Sequence, residues 1–293
     1  MSWLQEYKSS LKLIEVEELF DLIFYRPLAF IFVKIIYSTN LTPNQITTLA
    51  LIIGMIGGIV ISFNTYSYLV IATILLIIYD VLDCSDGQLA RLKKNGTPAG
   101  RILDGVADYF VTISVYLGIG FGFANDSNNP LFYWVLLVLA GASNIVHAIA
   151  LDYYRNRFLD YATNRESLLG DDLKEFEDEY KTLRAHGGNY FQLFILWIYL
   201  KYSNLQLKAS NNSSETIQKK YDSKDFYKKN KTIMHLWTYI GPTSELTFII
   251  FTALINRLDI YLIGMITFVN IYVIILFFVQ HKIDGSTKLA EIK

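Results

Sequence analysis

The chain predicts an all-α membrane protein: six transmembrane helices, an amino-terminal amphipathic helical segment in the interface, and a cytoplasmic insertion between the fourth and fifth helices. Three observations carry that prediction. Hydrophobic residues make up 53% of the 293 positions and charged residues only 18%, more apolar than an ordinary soluble domain. Ile46 to Tyr79 contains no charged residue at all, too long for one span and broken at Asn64-Thr65-Tyr66-Ser67, so it reads as two. Further apolar runs of spanning length then recur between polar turns. The net charge of −1 gives no support for nucleic acid as a partner. The single cysteine, Cys84, excludes an intrachain disulfide and reads as a small apolar filler.

Residues 1–40 form the first unit. Met1 to Leu13 is polar, with no apolar core ahead of a small-residue cleavage site, so no cleavable signal peptide is predicted. Glu17, Glu18, Asp21, Arg26 and Lys34 interrupt an aromatic and aliphatic run. That mixture predicts a helix lying in the interface, bent or restarted at Pro27; a short span over 27–39 is the alternative. Leu41-Thr42-Pro43-Asn44 then supplies a cap and a proline for the first spanning helix.

The second unit, 41–156, holds spans near 42–63, 67–92, 98–123 and 130–155. Residues 157–235 form the insertion: an acidic helical face over Glu166–Lys181, an apolar stretch within Asn189–Leu207 too short to span, and a Ser-, Asn- and Lys-rich linker over 208–231 attracted to anionic lipid. The third membrane unit, 236–282, holds spans near 236–256 and 260–281, paired as a hairpin at Asn256-Arg257-Leu258-Asp259. Residues 283–293 are a tail. The Lys and Arg residues gather at one set of connections: Lys93, Lys94, Arg101, the 155–231 region and Lys282. This bias predicts both termini, and the ends of the second and third spans, on the cytoplasmic side of the inner membrane.

Those two ends carry the chemistry. Asp83 and Asp86 are three apart, and Asp104 and Asp108 are four apart, so each pair lies on one helix face. Two facing helix ends then present four carboxylates to one point. Like charges that close need protons or a cation. Oxygen donors without neighbouring His or Cys favour Mg²⁺, Mn²⁺ or Ca²⁺ over zinc, as one ion or two; a metal pair suits phosphoryl transfer. Gly87 and Gly100 permit close approach of a ligand or helix, and Arg91 is placed to pair with a phosphate. His186, His235 and His281 stand at segment edges without ligand spacing.

The pattern Asp83-x2-Asp86-Gly87-x2-Ala90-Arg91-x8-Gly100-x3-Asp104-x3-Asp108 resembles the full signature of the CDP-alcohol phosphotransferase family, with all eight positions at the family's spacing. The resemblance implies a six-helix membrane enzyme, usually a homodimer. Such an enzyme moves a substituted phosphate from a CDP-linked donor to an acceptor alcohol and releases CMP, as in phospholipid biosynthesis. It further implies Mg²⁺ or Mn²⁺, as two ions on Asp83, Asp86, Asp104 and Asp108, and Asp108 as the general base. Asp83, Gly87, Ala90, Arg91 and Gly100 would form the nucleotide site. Asp80, one turn before Asp83, is an outer-sphere partner or a cytidine contact. Arg155, Arg157 and Glu245 are candidate substrate contacts; for the arginines the competing reading is helix-end anchoring, and for Glu245 a capped kink.

The donor is either CDP-diacylglycerol or a soluble CDP-alcohol of the CDP-inositol, CDP-choline or CDP-ethanolamine type. A transporter is the rival from another class, because acids within membranes also mark ion pathways; here they cluster at one end of otherwise apolar spans. A non-catalytic scaffold is the second rival, and four intact acids speak against it.

Overall fold

The computed structural model describes residues 3–162, 169–187, 190, 192–194, 196–197, 199–201 and 221–290. Among these the structure is helical, with one isolated bridge, Tyr221 to Leu289. Helix α1 is Trp3–Ser10 and α2 is Arg26–Ile36, with a 3₁₀ turn at Ile14–Val16 and a π-helical turn at Asp21–Tyr25 between them. Pro27 comes just after the π-helical turn, and Tyr25 and Arg26 before it are themselves helical, so the chain stays helical through the proline with a π turn ahead of it, a usual place for a helix to adjust. The helical run that ends in α2, with Asp21, Arg26 and Lys34 along it, is not among the described helices long and apolar enough to cross a membrane.

Helix α3 (Pro43–Ile61) opens with the predicted cap. Gln45 N donates to Thr42 Oγ1 while Gln45 Oε1 accepts from Thr42 N, a reciprocal box that satisfies two otherwise orphaned donors. Helix α4 (Tyr66–Lys93) ends at Lys94, whose φ of 53° closes it in the left-handed conformation. After that short turn, Thr97 caps α5 (Pro98–Asp126) by accepting from Gly100 N at 3.0 Å. Helix α6 (Pro130–Ala162) runs past the predicted boundary at 156. Helix α7 (Leu169–His186) covers most of the predicted acidic helical face.

The linker predicted over 208–231 lies outside the described residues as far as residue 220. From Ser223 it is helix, α8 (Ser223–Trp237), capped by Asp222, whose side chain accepts from Asp225 N. Lys229 Nζ holds that helix to Ser286 O. The single span predicted over 236–256 is divided: α8 stops at Trp237, a 3₁₀ turn covers Thr238–Ile240, and α9 starts at Pro242 and runs to Leu254. Pro242 cannot sit inside a continuous helix, because it has no N–H and its ring meets the preceding turn. The last helix, α10 (Leu258–Ser286), contains a π-helical turn at Met265–Val269.

Five described helices, α3, α4, α5, α6 and α10, are long and apolar enough to cross a membrane, whereas α9 is a shorter apolar helix. Their outer faces carry large apolar side chains such as Ile52, Ile56, Ile74, Ile113 and Phe278, all exposed. Such a surface calls for lipid as its neighbour, and the protein is a multi-pass integral membrane protein.

Helix α3 packs against both α4 and α5, and glycine sets how closely. A Cβ on Gly54 would stand 2.7 Å from both Val111 methyls, and one on Gly58 would stand 2.6 Å from the backbone carbon of Ser114. A Cβ on Gly118 of α5 would collide with the Gly58 carbonyl. Small residues four apart let two membrane helices meet backbone to backbone, where dispersion rather than water exclusion holds them. The amino-terminal segment joins the bundle through Glu18. Its carboxylate accepts from Ser244 N at 2.8 Å and from Ser244 Oγ at 2.9 Å, completing the first turn of α9, whose own Gly241 cap has no side chain. Burial pushes the Glu18 carboxyl up to about 7, and Asp21 pushes the same way against the pull of the Ser244 bonds.

Gly58→Ala should separate α3 from α5 and lower the thermal midpoint of the detergent-solubilised protein by several degrees or prevent folding. Gly105→Ala, with open space around the added methyl, should leave the midpoint unchanged or slightly higher, since alanine gains about 1 kcal/mol over glycine inside a helix. Equal losses from the two changes would remove close helix approach as the reason.

Candidate active site

The two faces of α4 do different work. Tyr79, Asp83 and Asp86 recur at four and three residues and share one face, which looks toward α3 and α5. Asp80 and Cys84 are four apart on the adjoining face, which looks toward the amino-terminal segment. On the first face, carboxylate oxygens of Asp83, Asp104 and Asp108 all lie within 4.8 Å of one another. Asp83 comes from α4 and the other two from successive turns of α5, so the seam between these helices is what brings the acids together. All three are half-buried.

Asp86, the fourth acid of the predicted set, is not one of that trio. It is buried and accepts a hydrogen bond from Thr47 Oγ1 of α3. Tyr79 OH donates to Asp108 Oδ1 at 2.8 Å and so fixes one oxygen of that carboxylate. Asp104 Oδ1 is buried with no hydrogen-bond partner in the protein. Three carboxylates converging on one point, with a buried oxygen left over and only oxygen donors present, fit a divalent cation of the Mg²⁺ or Mn²⁺ kind.

The remaining signature residues frame that end of the bundle. Arg91 Nη2 lies 3.3 Å from where a Cβ on Gly87 would be, so the guanidinium lies across the glycine. Arg91 Nε also donates to Ser10 O at 2.5 Å, which ties the amino-terminal segment to the motif. A Cβ on Gly100 would stand 2.6 Å from Asn44 Oδ1, so this glycine lets the start of α3 close onto the start of α5. Ala90 is half-buried, and its carbonyl accepts from Asn95 N in the closing turn of α4.

Asp80 lies apart from the trio. It groups with Asp21 and Cys84, all three buried with ligand atoms within 4.8 Å, and its Oδ2 has no partner. Arg26 beside them pairs with Glu17 at 2.7 Å and with Asp21 at 3.8 Å. The acid-rich amino-terminal segment thus carries its own counter-charge inward.

The three candidate substrate contacts stand outside the trio as well. Arg157 is held by Asp284 at 2.6 Å and by Tyr221 OH at 3.3 Å, with the Tyr221 and Phe226 rings near its guanidinium. It borders a small, partly open cleft between α6, α8 and α10, lined also by Trp237 and Gln280. Arg155 is 3.7 Å from Asp152, and its buried Nε is unpartnered. Glu245 is enclosed by two tyrosines, Tyr116 OH donating at 2.6 Å and Tyr261 OH beside it, a knot joining α5, α9 and α10. His147 Nε2 lies 2.9 Å from Asn270 Oδ1, bonding α6 to α10, as expected of a polar residue inside a helix bundle.

Sequence reasoning did not single out Thr47, Tyr79 or Asn44. Thr47 and Asn44 had a signal, since both belong to the capped start of α3 that must lie beside the motif. Tyr79 had none, being an aromatic residue at the end of an apolar run.

Comparison with known proteins finds a match in the same part of the chain. Residues 40–165 match the family described as CDP-alcohol phosphatidyltransferase, whose members use divalent metal ions. A stretch of 119 residues is 28% identical to a protein of Thermococcus kodakarensis named bifunctional IPC transferase and DIPP synthase, covering 41% of this chain and 26% of that protein. A stretch of 70 residues is 39% identical to the protein of the same name from Aquifex aeolicus, covering 24% of this chain and 15% of the relative. The likeness therefore spans about a quarter or less of those relatives' length. Residues 40–165 are a CDP-alcohol phosphatidyltransferase domain, and the carboxylates of α4 and α5 lie inside it.

Proposed function

We propose that the protein transfers a substituted phosphate from a CDP-linked donor to an acceptor alcohol and releases CMP. The observation that carries this reading is the convergence of Asp83, Asp104 and Asp108 within 4.8 Å at one end of two apolar helices. A transporter would need polar groups along its spans, and a scaffold would have no use for a trio of converging acids. The donor is a lipid such as CDP-diacylglycerol or a soluble CDP-alcohol.

Asp83, Asp104 and Asp108 would hold a divalent cation, and Asp86, released from Thr47, would help hold a second. Bound cations supply the positive charge that neutralises the donor pyrophosphate and the departing CMP. Arg91, which lies across Gly87, would contact the nucleotide, with Ala90 and Gly100 shaping the same end of the bundle. Asp80 supports Asp83 from the adjoining face. Asp108 takes the proton from the acceptor hydroxyl as its oxygen forms a bond to the phosphorus carrying the non-nucleotide group. The bond from that phosphorus to the bridging oxygen breaks, and the oxygen leaves with CMP. Tyr79 holds the Asp108 carboxylate so that its other oxygen faces the acceptor.

Arg155, with an unpartnered buried Nε, is the candidate contact to the acceptor. Arg157 and Glu245, each already engaged by neighbours, act by holding the helices around it. The acids lie at the cytoplasmic face of the inner membrane with both termini, α9 completes a six-helix set, the amino-terminal helices rest in the interface, and the enzyme works as a homodimer among membrane lipids.

Purified protein with Mg²⁺ or Mn²⁺ should release CMP from CDP-diacylglycerol or from one of CDP-inositol, CDP-choline, CDP-ethanolamine and CDP-glycerol, offered with pooled acceptor alcohols. EDTA should stop release, and either metal should restore it. Silence with every donor, from folded and metal-loaded protein, would sink the transferase reading. Asp108→Asn should lower kcat by about 10²-fold or more, the usual worth of a positioned base, while the helical signal and donor binding persist. Turnover near the parental rate would take the base role from Asp108. Tyr79→Phe should lower kcat about 10-fold, the equivalent of about 1.4 kcal/mol for one hydrogen bond to a charged group, with the donor KM unchanged. A raised KM at parental kcat would instead mark Tyr79 as a binding residue.

A further inference from the structure

The insertion after α6 lies beyond the matched residues 40–165, yet it is attached to the catalytic motif. Helix α7 packs against the start of α5. Ala99 and Phe176 are buried together with Leu196, and Ile102, Tyr180, Leu183, Tyr199 and Leu200 pack around them. The apolar stretch predicted within 189–207 thus lies, where described, against this junction. The Arg101 guanidinium stands 5.3 Å from the centre of the Phe176 ring. Ala99 N donates to Glu179 Oε2 at 2.8 Å.

That last bond falls where α5 would otherwise be incomplete. The first turn of a helix has N–H groups without intrahelical partners. In α5, Pro98 has none to offer, and Gly100 N is satisfied by Thr97 Oγ1 at 3.0 Å. Arg101 N reaches Thr97 O at 3.1 Å. Ala99 N depends on a side chain from elsewhere in the chain, and Glu179 is that side chain. Its negative charge also suits the positive end of the helix. Asp104 follows Gly100 by four residues and Asp108 by eight, so both lie nearly in line with Gly100 along α5. A rotation or tilt of the first turn moves both carboxylates relative to Asp83.

We propose that the insertion is a positioning arm for the reaction: Glu179 and Phe176 hold the first turn of α5 so that Asp104 and Asp108 meet Asp83. Glu179 is a positioning residue, because it touches the helix start and not the reacting atoms. This role rests on the transferase reading of the acid site. It also means that the α5 terminus offers no free N–H for a substrate phosphate, leaving phosphate capture to Arg91 and the metal-binding acids.

The test uses the full-length protein in detergent and Mn²⁺ as the probe, with bound metal read by electron paramagnetic resonance. In parallel, kcat and KM are measured with the active donor. Glu179→Ala should weaken Mn²⁺ binding about 5-fold and lower kcat about 10-fold, less than the roughly 10²-fold that a full ångström of misplacement can cost, with the donor KM within about 2-fold of the parent. Glu179→Gln keeps an oxygen that accepts from Ala99 N and should recover most of both. Phe176→Ala, which removes the packing and leaves the cap, should show the same pattern more weakly and serves if Glu179→Ala fails to fold. Parental Mn²⁺ affinity and kcat in both Glu179→Ala and Phe176→Ala would overturn the arm while leaving the transferase reading intact. Equal damage from Glu179→Gln and Glu179→Ala would overturn the hydrogen bond as its means. Parental Mn²⁺ binding in Asp83→Asn would overturn the acid site and the arm with it.

Discussion

How closely α3 fits against α4 and α5 governs the rest of this molecule. In a bilayer, apolar side chains gain nothing by leaving lipid for one another, so helices must be held by close packing and a few polar contacts. Gly54 and Gly58 of α3 and Gly118 of α5 remove the side chains that would keep the backbones apart. With α3 set deep against α5, its amino-terminal end arrives beside the motif. There Asn44 closes on Gly100 and Thr47 bonds Asp86. The geometry of the acids is therefore a consequence of contacts made deeper in the bundle.

Electrostatics explains why the acid end is wrapped rather than open. Carboxylates gathered within a few ångströms repel one another strongly where water is scarce, and a fold bears that cost only with protons, bases or metal close by. On one face of α4, Arg26 supplies the base, held by Glu17 and Asp21 beside Asp80. On the other face no described base forms an ion pair with Asp83, Asp104 or Asp108, and the hydroxyls of Tyr79 and Thr47 donate to Asp108 and Asp86. Two acid groups one turn apart on the same helix are thus in different electrical situations. One has a resident guanidinium beside it, and the other is the cluster whose converging oxygens fit a divalent cation.

Much of this was legible in the sequence, for reasons that differ residue by residue. The spans α3, α4, α5 and α10 were readable because a bilayer imposes a length and a composition. The acids of α4 and α5 were readable because a spacing of three or four puts them on one helix face whatever the surroundings. Asp86 left the expected foursome because Thr47, a residue on another helix, bonds it, and no spacing within the motif encodes that neighbour. Glu245 read equally well as a kink or a substrate contact. Two tyrosines from distant positions, Tyr116 and Tyr261, enclose it. The fifth predicted span was divided at Pro242 by a local rule the sequence did contain. The smooth hydropathy of the window outweighed one proline, although backbone chemistry gives the proline the stronger voice.

The insertion shows why hydropathy and charge are poor guides to attachment. An acidic helix followed by a short apolar stretch has the composition of a solvated appendage, and nothing in its periodicity points toward the motif. What joins it to α5 is a vacancy created by α5 itself: a proline at the first position, a threonine that satisfies only part of the turn, and one backbone N–H left for a partner. Glu179 meets that need from 80 positions away in the chain. The helix so capped carries two of the three converging acids. Among the described residues of the arm, the contacts that reach the start of α5 are the Glu179 acceptor and the apolar patch around Phe176.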